Sequence, residues 1–151
     1  MSVEVHVNAV GVRVPLARMR VKALAADVVR AERVRHAELS YTFVTRHAIA
    51  TLNRRHLGHR GPTDIITFEF AAVPGGPVGG DVYIAPEVAR EHAARFGRPA
   101  REELARLVVH GALHAIGYTH PEDGSRETSA MWRRQERYLV RFYARPEPAP
   151  A

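Results

Sequence analysis

The chain has 151 residues, of which 46% are hydrophobic and 25% charged, and it contains no cysteine. These values fit one soluble globular domain and exclude bulk disorder and collagen-like sequence. The absence of cysteine excludes disulfide scaffolds, thiolate metal sites and a cysteine nucleophile. No apolar stretch approaches the roughly 20 residues needed to span a bilayer. The N-terminal residues lack the basic and apolar regions of a secretory signal, so we expect a cytoplasmic protein without a membrane partner.

Basic residues outnumber acidic residues by 22 to 16, which gives a formal net charge of +6. All of the basic residues except Lys22 are arginine. A basic surface favours a polyanionic partner, because neutralising phosphates releases their counterions and drives association. Genomic base bias is an alternative explanation for the choice of arginine over lysine, but it accounts less well for the excess of positive charge. Nucleic acid is therefore the partner class that the composition favours.

The first half of the chain alternates between strand and helix patterns. Val3, Val5 and Val7 alternate with polar residues, as in a half-buried strand. The next segment has apolar residues at helical spacings of three and four, namely Leu16, Met19, Ala23 and Ala26. The predicted elements are a strand over residues 3–7, a helix over residues 15–35, a strand over residues 39–43, and a helix over residues 46–56 that ends at Gly58.

The second half contains two strands and three helices. The predictions are a strand over residues 63–70, a flexible loop over residues 71–80, a strand over residues 81–85, and helices over residues 86–96, 100–116 and 126–142. The apolar face of the second of these helices comprises Leu104, Leu107, Val108, Ala112 and Ala115. Because strands and helices do not alternate strictly, the predicted class is α+β, with about four strands and five helices. We expect one domain over residues 1–144 and a disordered tail over residues 145–151.

Three histidines near the end of the long helix form a candidate metal site. His110 and His114 are four residues apart, so they lie one turn apart on one face of the helix. A straight helix would carry His120 roughly 15 Å further along and off that face. Gly117 resolves this difficulty, because glycine accepts the left-handed conformation that ends a helix and lets the chain turn back. Three neutral imidazoles with water at an open fourth position define a catalytic zinc site, and we predict one such ion.

A purely structural role for these histidines is the alternative. A single helical histidine is usually a surface residue or a satisfied core residue, and a pair at this spacing can arise by chance. The third histidine and the helix-ending glycine together favour metal binding. The ligand helix is also apolar around the histidines, and unpaired imidazoles would be costly to bury there.

The same spacing is similar to that of the metzincin proteases, H-E-x-x-H-x-x-G-x-x-H, with one departure. Those proteases need a glutamate directly after the first histidine as the general base, and this chain has Gly111 there. Glycine cannot accept a proton, so proteolysis is excluded. Glycine inside a helix also costs about 1 kcal/mol relative to alanine. Gly111 therefore predicts that a strand or the substrate backbone approaches the helix closely at this point.

The sequence HGALHAIGYTH, residues 110–120, resembles the H-G-x-L-H-x-x-G-Y-D-H signature of the YbeY family. Residues 52–53, 62–68 and 80–84 resemble that family's LN, PTDVLSF and GDI-I blocks, and residues 103–109 resemble its lead-in to the ligand helix. These blocks occur in the family's order. The resemblance implies a zincin-like α+β fold with a small mixed sheet and a buried ligand helix. It also implies a bacterial metal-dependent endoribonuclease in rRNA maturation and ribosome quality control, with single-stranded RNA and the ribosome or ribosomal proteins as partners.

The chain departs from the family pattern at two positions. Thr119 stands where the signature has aspartate, and it offers a hydroxyl in place of a carboxylate. The family also has a Tyr-Arg pair five residues before the Pro-Thr block, and here that pair is His56-Leu57. The family's active-site arginine is therefore replaced by leucine. Arg55 and Arg60 are the neighbouring candidates for its role.

The predicted reaction is metal-assisted hydrolysis of an RNA phosphodiester. Zinc lowers the pKa of its bound water toward about 7 and polarises the phosphoryl oxygen. Arg55 or Arg60 would hold the scissile phosphate and offset its charge. Asp64 is a candidate for handling the proton, although an aspartate before a strand often caps a turn instead. The alternative function is a zinc-stabilised ribosome- or RNA-associated factor with little catalytic activity.

The remaining polar and aromatic candidates are predicted to be structural or solvated. His47, His56, His59 and His92 lack ligand spacing and are expected at the surface, where His56 and His59 could touch RNA. Trp132 and Tyr138 are expected to pack in the core. The arginines of the last helix, at positions 133, 134, 137 and 141, are expected on a solvated face, and contact with RNA phosphates is the alternative.

Overall fold

The computed structural model describes residues 2–71, 73–119 and 129–143. Four strands and five α-helices are found in these ranges. The strands are β1 (Ser2–Ala9), β2 (His36–Phe43), β3 (Ile65–Glu69) and β4 (Val78–Ile84). The helices are α1 (Arg18–Ala31), α2 (Arg46–Leu52), α3 (Pro86–Arg95), α4 (Ala100–Ala115) and α5 (Ala130–Tyr138). Two π-helical turns, Asn53–Leu57 and Leu139–Tyr143, extend α2 and α5.

The strands form one mixed sheet in the order β1-β2-β4-β3. The first three strands are parallel, and β3 pairs antiparallel with β4. In the described part of the chain, β1 and β3 are therefore the edge strands. The sheet and the helices around it confirm the predicted α+β class with a small mixed sheet.

The main core lies between one face of the sheet and helices α1 and α4. The alternation predicted for β2 is observed, because Leu39, Tyr41 and Phe43 are fully or almost fully buried on that face. Among the described residues, those that cover the opposite face lie near β3 and β4, where α2 and α3 contribute Ile49 and Val88 to a smaller cluster. The sheet thus has one fully packed face and one partly solvated face, as antiparallel and mixed sheets often do.

Helix α4 is the most buried helix of the described structure. Every residue from Glu103 to Leu113 is buried, including the whole predicted apolar face within that range. The hydroxyl of Tyr41 donates a 2.7 Å hydrogen bond to the carbonyl oxygen of Val108, which fastens β2 to the middle of the helix. This confirms the prediction of a buried long helix.

Helix α1 differs from its prediction in both length and orientation. It begins at Arg18, since Ala17 is still extended, and it ends at Ala31 before the positive φ of Arg33 reverses the chain. Met19 is 73% exposed and Ala23 is also exposed, so the predicted apolar face is wrong at both positions. The buried residues are Val21, Leu24, Ala25, Ala26, Val28 and Val29. The helix is apolar around much of its circumference, and the branched side chains rather than the alanines decide which side packs.

The loop predicted over residues 71–80 is wrong at its C-terminal end, because Val78, Gly79 and Gly80 belong to β4. The two glycines do not form a turn. They allow the backbones of the neighbouring strands to lie close to β4. A Cβ on Gly79 would lie 1.9 Å from the carbonyl oxygen of Glu38, and one on Gly80 would lie 2.2 Å from that of Phe68. β4 is the central strand between β2 and β3, and its neighbours leave no room for side chains at these positions.

The last helix is shorter than predicted within the described residues. Ser129 caps α5 by accepting a 3.1 Å hydrogen bond from the amide of Trp132, and α5 then passes into the second π-helical turn. Residues 126–128 of the predicted helix and the predicted tail over residues 145–151 lie outside the described ranges. Within those ranges, none of the helices combines the length and apolar character that a membrane crossing requires.

Candidate metal centre

Helix α4 brings His110 and His114 together on one face. Their ring centroids are 5.7 Å apart, with the ring planes at 83°. His110 is only 3% exposed, whereas His114 is half-buried. Imidazole is a preferred ligand of zinc and of other first-row transition metals. The pair therefore supplies two suitable donors one helical turn apart, at the boundary between the core and solvent.

The ring of His110 is held by helix α5. Its Nδ1 lies 2.7 Å from Oε1 of Gln135, and Gln135 is completely buried. The amide nitrogen of Gln135 donates a 3.0 Å hydrogen bond to Oε2 of Glu136. A metal-binding imidazole usually makes such a hydrogen bond through the ring nitrogen that does not bind the metal. The residues present thus fit a divalent metal ion.

Glu69, the last residue of β3, faces the second histidine. Its Oε1 lies 3.5 Å from Nδ1 of His114, and its side chain is 43% exposed. A carboxylate beside a ligand imidazole favours its Nδ1–H form and raises the basicity of the other nitrogen. No sequence signal identifies Glu69, because the contact joins two segments that are distant in the chain.

The helix ends as predicted at Gly117, which has a φ of +117°. The amide of Gly117 donates to the carbonyl of His114 at 3.1 Å, and the amide of Tyr118 donates to that of Leu113 at 3.0 Å. The second bond spans five residues and satisfies a carbonyl at the helix end, as in a Schellman motif. The chain therefore leaves the helix axis directly after the second histidine. His120, the predicted third ligand, lies outside the described residues.

Gly111 lies where the helix crosses the sheet. A Cβ at this position would be 2.7 Å from Cγ1 of Val82 and 3.3 Å from Cδ1 of Ile65. The close approach expected from the sequence is confirmed, and the approaching element is the sheet, through the side chains of β4 and β3. Gly111 therefore sets how deeply the ligand helix sits on the sheet.

The two candidate arginines lie on a basic segment at the other face of β3. Arg55 is exposed in the first π-helical turn, and Arg60 is exposed in the loop that follows. The ring of His56 packs edge-to-face on Phe68 of β3 with a centroid distance of 5.4 Å. Phe68 directly precedes Glu69, so the basic segment and the ligand helix flank the same end of an edge strand from opposite faces.

Asp64 lies at the opposite end of β3 from Glu69. It is 7% exposed, and its Oδ2 pairs with Nδ1 of His92 at 3.3 Å. The hydrogen bond to Asp64 raises the pKa of His92, partial burial opposes the shift, and the charge of Asp64 adds to it. Asp64 and His92 line a cleft that neither His110 nor His114 lines. The partner of the Asp64 carboxylate among the described ion pairs is thus His92.

Two sequence predictions near this cleft need correction. Trp132 was expected in the core, but it is half-buried and lines the cleft beside Asp64. His92 was expected as an ordinary surface residue, but it is paired with a buried carboxylate. Tyr138, by contrast, is 6% exposed in the core, as predicted.

The carboxylate of Glu32 joins the end of the ligand helix to α5. It accepts hydrogen bonds from the hydroxyl of Tyr118 at 2.5 Å, from Nη1 of Arg134 at 2.7 Å, and from the hydroxyl of Tyr138. Partial burial opposes ionisation of Glu32, but these three donors outweigh it and lower its pKa. Arg134 is therefore an anchoring residue rather than part of a fully solvated face.

The described residues contain a second group of possible metal ligands, formed by Glu4, His6 and Glu38. Glu4 and His6 are exposed and Glu38 is half-buried on the partly solvated face of β1 and β2. Glu4 and Glu38 are directly opposite each other in the strand register, and His6 lies 3.8 Å from Glu4. This group lacks the buried, oriented imidazole of the α4 site.

Sequence reasoning missed Gln135, the residue that contacts His110. A signal for it was present, since Met131, Gln135 and Tyr138 recur at spacings of four and three on the buried face of α5. A fully polar amide on an apolar helix face must find buried hydrogen-bond partners. The pattern could therefore have identified Gln135 as part of a buried polar contact, although not its partner.

The fold and the site define a class of protein: a small α+β protein with an oriented histidine pair on a buried helix, as metal-dependent hydrolases have. The family model described as Endoribonuclease YbeY matches residues 7–143 of the chain. This chain belongs to the YbeY family. The family predicted from the motif blocks is thereby confirmed.

Curated relatives agree with this assignment. The Endoribonuclease YbeY of Micrococcus luteus is 40% identical over 121 residues, which is 76% of each chain. That of Frankia alni is 38% identical over 135 residues, covering 81% of this chain and 73% of the relative. That of Syntrophus aciditrophicus is 28% identical over 151 residues, covering 97% of this chain and 94% of the relative.

A solved structure has the same fold. The solution structure of TM1509 from Thermotoga maritima matches with a TM-score of 0.62 at 20% identity, over 97% of this chain and 99% of that one. The likeness extends over nearly the whole of both chains and confirms the overall architecture.

Proposed function

We propose that this protein is a metal-dependent endoribonuclease that cleaves single-stranded RNA in the cytoplasm during rRNA maturation and ribosome quality control. Membership of the YbeY family confirms the endoribonuclease class and its RNA substrate, and it fits metal dependence. Our proposal adds zinc as the ion, His110, His114 and His120 as its ligands with water at the fourth position, the single-strand preference, and the ribosome or ribosomal proteins as partners.

The observation that carries this proposal is the oriented histidine pair on α4. His110 and His114 present two imidazoles one turn apart, and the hydrogen bond to Gln135 places the lone pair of His110 on Nε2. Gly111, between them, is a non-ionisable residue that allows the helix to sit against Val82. The site therefore has metal donors without the glutamate base of a peptidase, which favours a substrate other than a peptide.

The bound ion supplies Lewis-acid activation of water and of the phosphoryl oxygen. The residues of the chain do the rest by binding and orientation. Gln135 holds the ring of His110, and the carboxylate of Glu69 lies beside Nδ1 of His114. Both contacts keep the ligand imidazoles in the state that binds a cation.

Substrate binding is assigned to the basic segment that follows α2. Arg55 and Arg60 are exposed and carry no acidic partner among the ion pairs of the described residues. Planar guanidinium groups bind phosphate oxygens bidentately and offset their charge. In this chain they stand beside Leu57, which is 48% exposed where the family pattern has arginine.

Asp64 is assigned a positioning role for β3. Among the described residues its carboxylate pairs with His92, and its backbone carbonyl accepts a 3.0 Å hydrogen bond from the amide of Ala85. These contacts support the turn-fixing role that an aspartate before a strand often has.

Cleavage of a single-stranded rRNA fragment tests the function. The zinc-loaded wild type is expected to cleave the fragment, and His114→Ala is expected to fall to the level of the chelator-treated protein. His6→Ala is the matched control, because it removes an exposed histidine from the second ligand group. The three proteins are compared at equal folded fraction by circular dichroism. Equal residual cleavage by wild type and His114→Ala would overturn the proposal.

A zinc-stabilised, RNA-associated factor is the second candidate function, and the leucine at position 57 favours it. For such a factor, Leu57→Arg would leave cleavage at background. For the endoribonuclease, the same change restores a guanidinium to the family's position and is expected to raise the cleavage rate.

A further inference from the structure

Gln135 makes a buried contact with the first candidate metal ligand. Its Oε1 lies 2.7 Å from Nδ1 of His110, and the two side chains are 0% and 3% exposed. Two helices are joined by this contact, since His110 lies on α4 and Gln135 on α5. The contact is short and shielded from water, so it determines the state of the imidazole.

The orientation of the Gln135 amide follows from its other partner. Its Nε2 donates to Oε2 of Glu136 at 3.0 Å. An ionised carboxylate can only accept hydrogen bonds, so the NH₂ end of the amide must face Glu136. The carbonyl end, Oε1, is left facing His110.

The tautomer of His110 then follows. The carbonyl oxygen of Gln135 can only accept, so the proton of the neutral imidazole is on Nδ1. The lone pair is on Nε2, and the hydrogen bond also fixes the rotation of the ring about its Cβ–Cγ bond. Both features are required of a histidine that binds a metal through Nε2.

A buried arginine fixes Glu136 in turn. Nε of Arg106 donates to Oε2 of Glu136 at 2.9 Å, and Nη1 donates to Glu103 at 2.8 Å. Arg106 is 6% exposed and lies one helical turn before His110 on α4. The chain of contacts therefore runs from α4 to α5 and back to α4. Each side chain in it is oriented by the side chain that it contacts.

We propose that Gln135 is a positioning residue for the metal centre, which holds the His110 imidazole in the Nδ1-protonated tautomer so that Nε2 is preset for a divalent cation. The proposal rests on the metal site of the proposed function. It means that a residue of α5, which lies outside the histidine signature of α4, contributes to metal affinity.

The test measures zinc affinity by competition with a chromogenic chelator, without RNA. Gln135→Leu keeps the approximate size of the side chain and removes the acceptor. We expect it to weaken zinc binding by about 10–100-fold, the usual effect of losing such a partner. The exchange variant Gln135→Glu/Glu136→Gln retains both the net charge and an acceptor facing Nδ1, and it is expected to bind zinc close to wild type.

Tyr41→Phe is the matched control for a purely structural role. It removes another buried hydrogen bond to α4, from Tyr41 to the carbonyl of Val108, without touching His110. It is expected to lower the unfolding midpoint while leaving zinc affinity unchanged. Equal losses of affinity in Gln135→Leu and Tyr41→Phe would overturn the proposal. So would unchanged affinity in Gln135→Leu, or failure of the exchange variant to retain it.

A second readout does not depend on zinc. Long-range ¹H–¹⁵N spectra of metal-free protein at about pH 8, where a histidine of ordinary pKa is neutral, report which ring nitrogen carries the proton. His110 is expected in the Nδ1–H form in wild type and shifted toward the Nε2–H form in Gln135→Leu. If wild type bound no zinc, the metal centre of the proposed function would fail, and these spectra would still decide the role of Gln135. Identical spectra for the two proteins would overturn it.

Discussion

At the scale of single residues, the pair formed by Asp64 and His92 shows how burial gives an ordinary aspartate a structural role. Asp64 is 7% exposed at the start of β3, and a buried carboxylate needs a partner to remain charged. His92 of α3 supplies that partner at 3.3 Å. The pair thus ties an edge strand to a helix at the end of the strand remote from the histidine site.

The pKa of His92 is raised mainly by this contact, which makes the contribution of the pair to stability pH-dependent. A raised folded-state pKa means that the folded protein holds the proton more tightly than the unfolded chain does. The stabilisation is therefore fully present below the unfolded value of about 6.5 and is lost as pH rises through the folded-state pKa. We expect wild type to exceed His92→Gln in unfolding free energy at about pH 5.5 and to lose that advantage by about pH 9.

Urea unfolding of the two proteins at both pH values measures this difference. Comparing wild type with the variant cancels the titration of the other histidines. Asp64→Asn is the partner control and should remove the same pH-dependent advantage. An advantage that is equal at both pH values would contradict the assigned pairing.

The sequence allowed only part of the candidate site to be predicted at this scale. The positions of His110 and His114 on one face follow from helical periodicity, which is a local property. Gln135 and Glu69 are brought to these histidines by the packing of α5 and β3, and no local pattern encodes which buried groups meet. Asp64 illustrates the same limit, since its pairing with His92 of α3 could not be read from the motif in which it lies.

At the scale of elements, Gly111 determines the packing of α4 on the sheet. Helix propensity alone favours alanine at this position by about 1 kcal/mol. The methyl group would meet Cγ1 of Val82 at 2.7 Å, and overpacking of a core costs about 1–3 kcal/mol. Val82 is fully buried and β-branched, so it cannot easily turn away. We therefore expect the packing cost to exceed the gain in helix propensity.

Gly111→Ala is accordingly expected to lower the unfolding free energy by about 1 kcal/mol. Denaturant unfolding with zinc removed measures this effect separately from metal binding. In the double variant Gly111→Ala/Val82→Ala the clash is relieved, so its destabilisation should be smaller than the sum of the two single changes. A Gly111→Ala protein as stable as wild type would show that the helix has room at this position.

The type of each element was predictable from sequence, whereas some bounds and one packed face were not. β2 follows its apolar periodicity closely because one of its faces is buried along its length, and the predicted apolar face of α4 lies within a stretch that is buried on all sides. Gly79 and Gly80 look like turn residues in sequence, yet they lie in β4 because neighbouring backbone fills the space of their side chains. The orientation of α1 was missed because alanines fit either side of a helix. Local composition cannot report these tertiary constraints.

At the scale of the whole molecule, part of the positive charge behind the net value of +6 is concentrated in one segment. The segment from the first π-helical turn to the following loop exposes Arg54, Arg55, His56 and Arg60. This segment lies beside the edge strand that also passes the histidine pair. The positive charge is therefore available for an RNA strand at the same end of β3 as the proposed metal centre.

Salt dependence of binding tests this arrangement. Each phosphate contact with a single strand contributes a slope of about −0.7 to the logarithm of affinity against the logarithm of salt concentration. Arg55→Ala/Arg60→Ala is expected to weaken binding and to reduce the magnitude of that slope by about 1.4. Fluorescence anisotropy with a labelled single-stranded RNA and metal-free protein gives the slope without cleavage.

Arg30→Ala is the control for charge alone, since Arg30 is exposed in the last turn of α1. It should change the slope much less than the double variant does. Equal slopes for wild type and Arg55→Ala/Arg60→Ala would exclude these two arginines from phosphate contact.

The three hydrogen bonds to Glu32 have a consequence for chain entropy. Tyr118 follows the ligand helix and Arg134 lies on α5, so the stretch of chain that contains His120 begins and ends at one carboxylate. Closing a loop at both ends removes configurations from the chain between them before any ligand binds. By holding Tyr118 and Arg134, Glu32 reduces the entropy that the chain between these two residues has left to lose on binding a ligand.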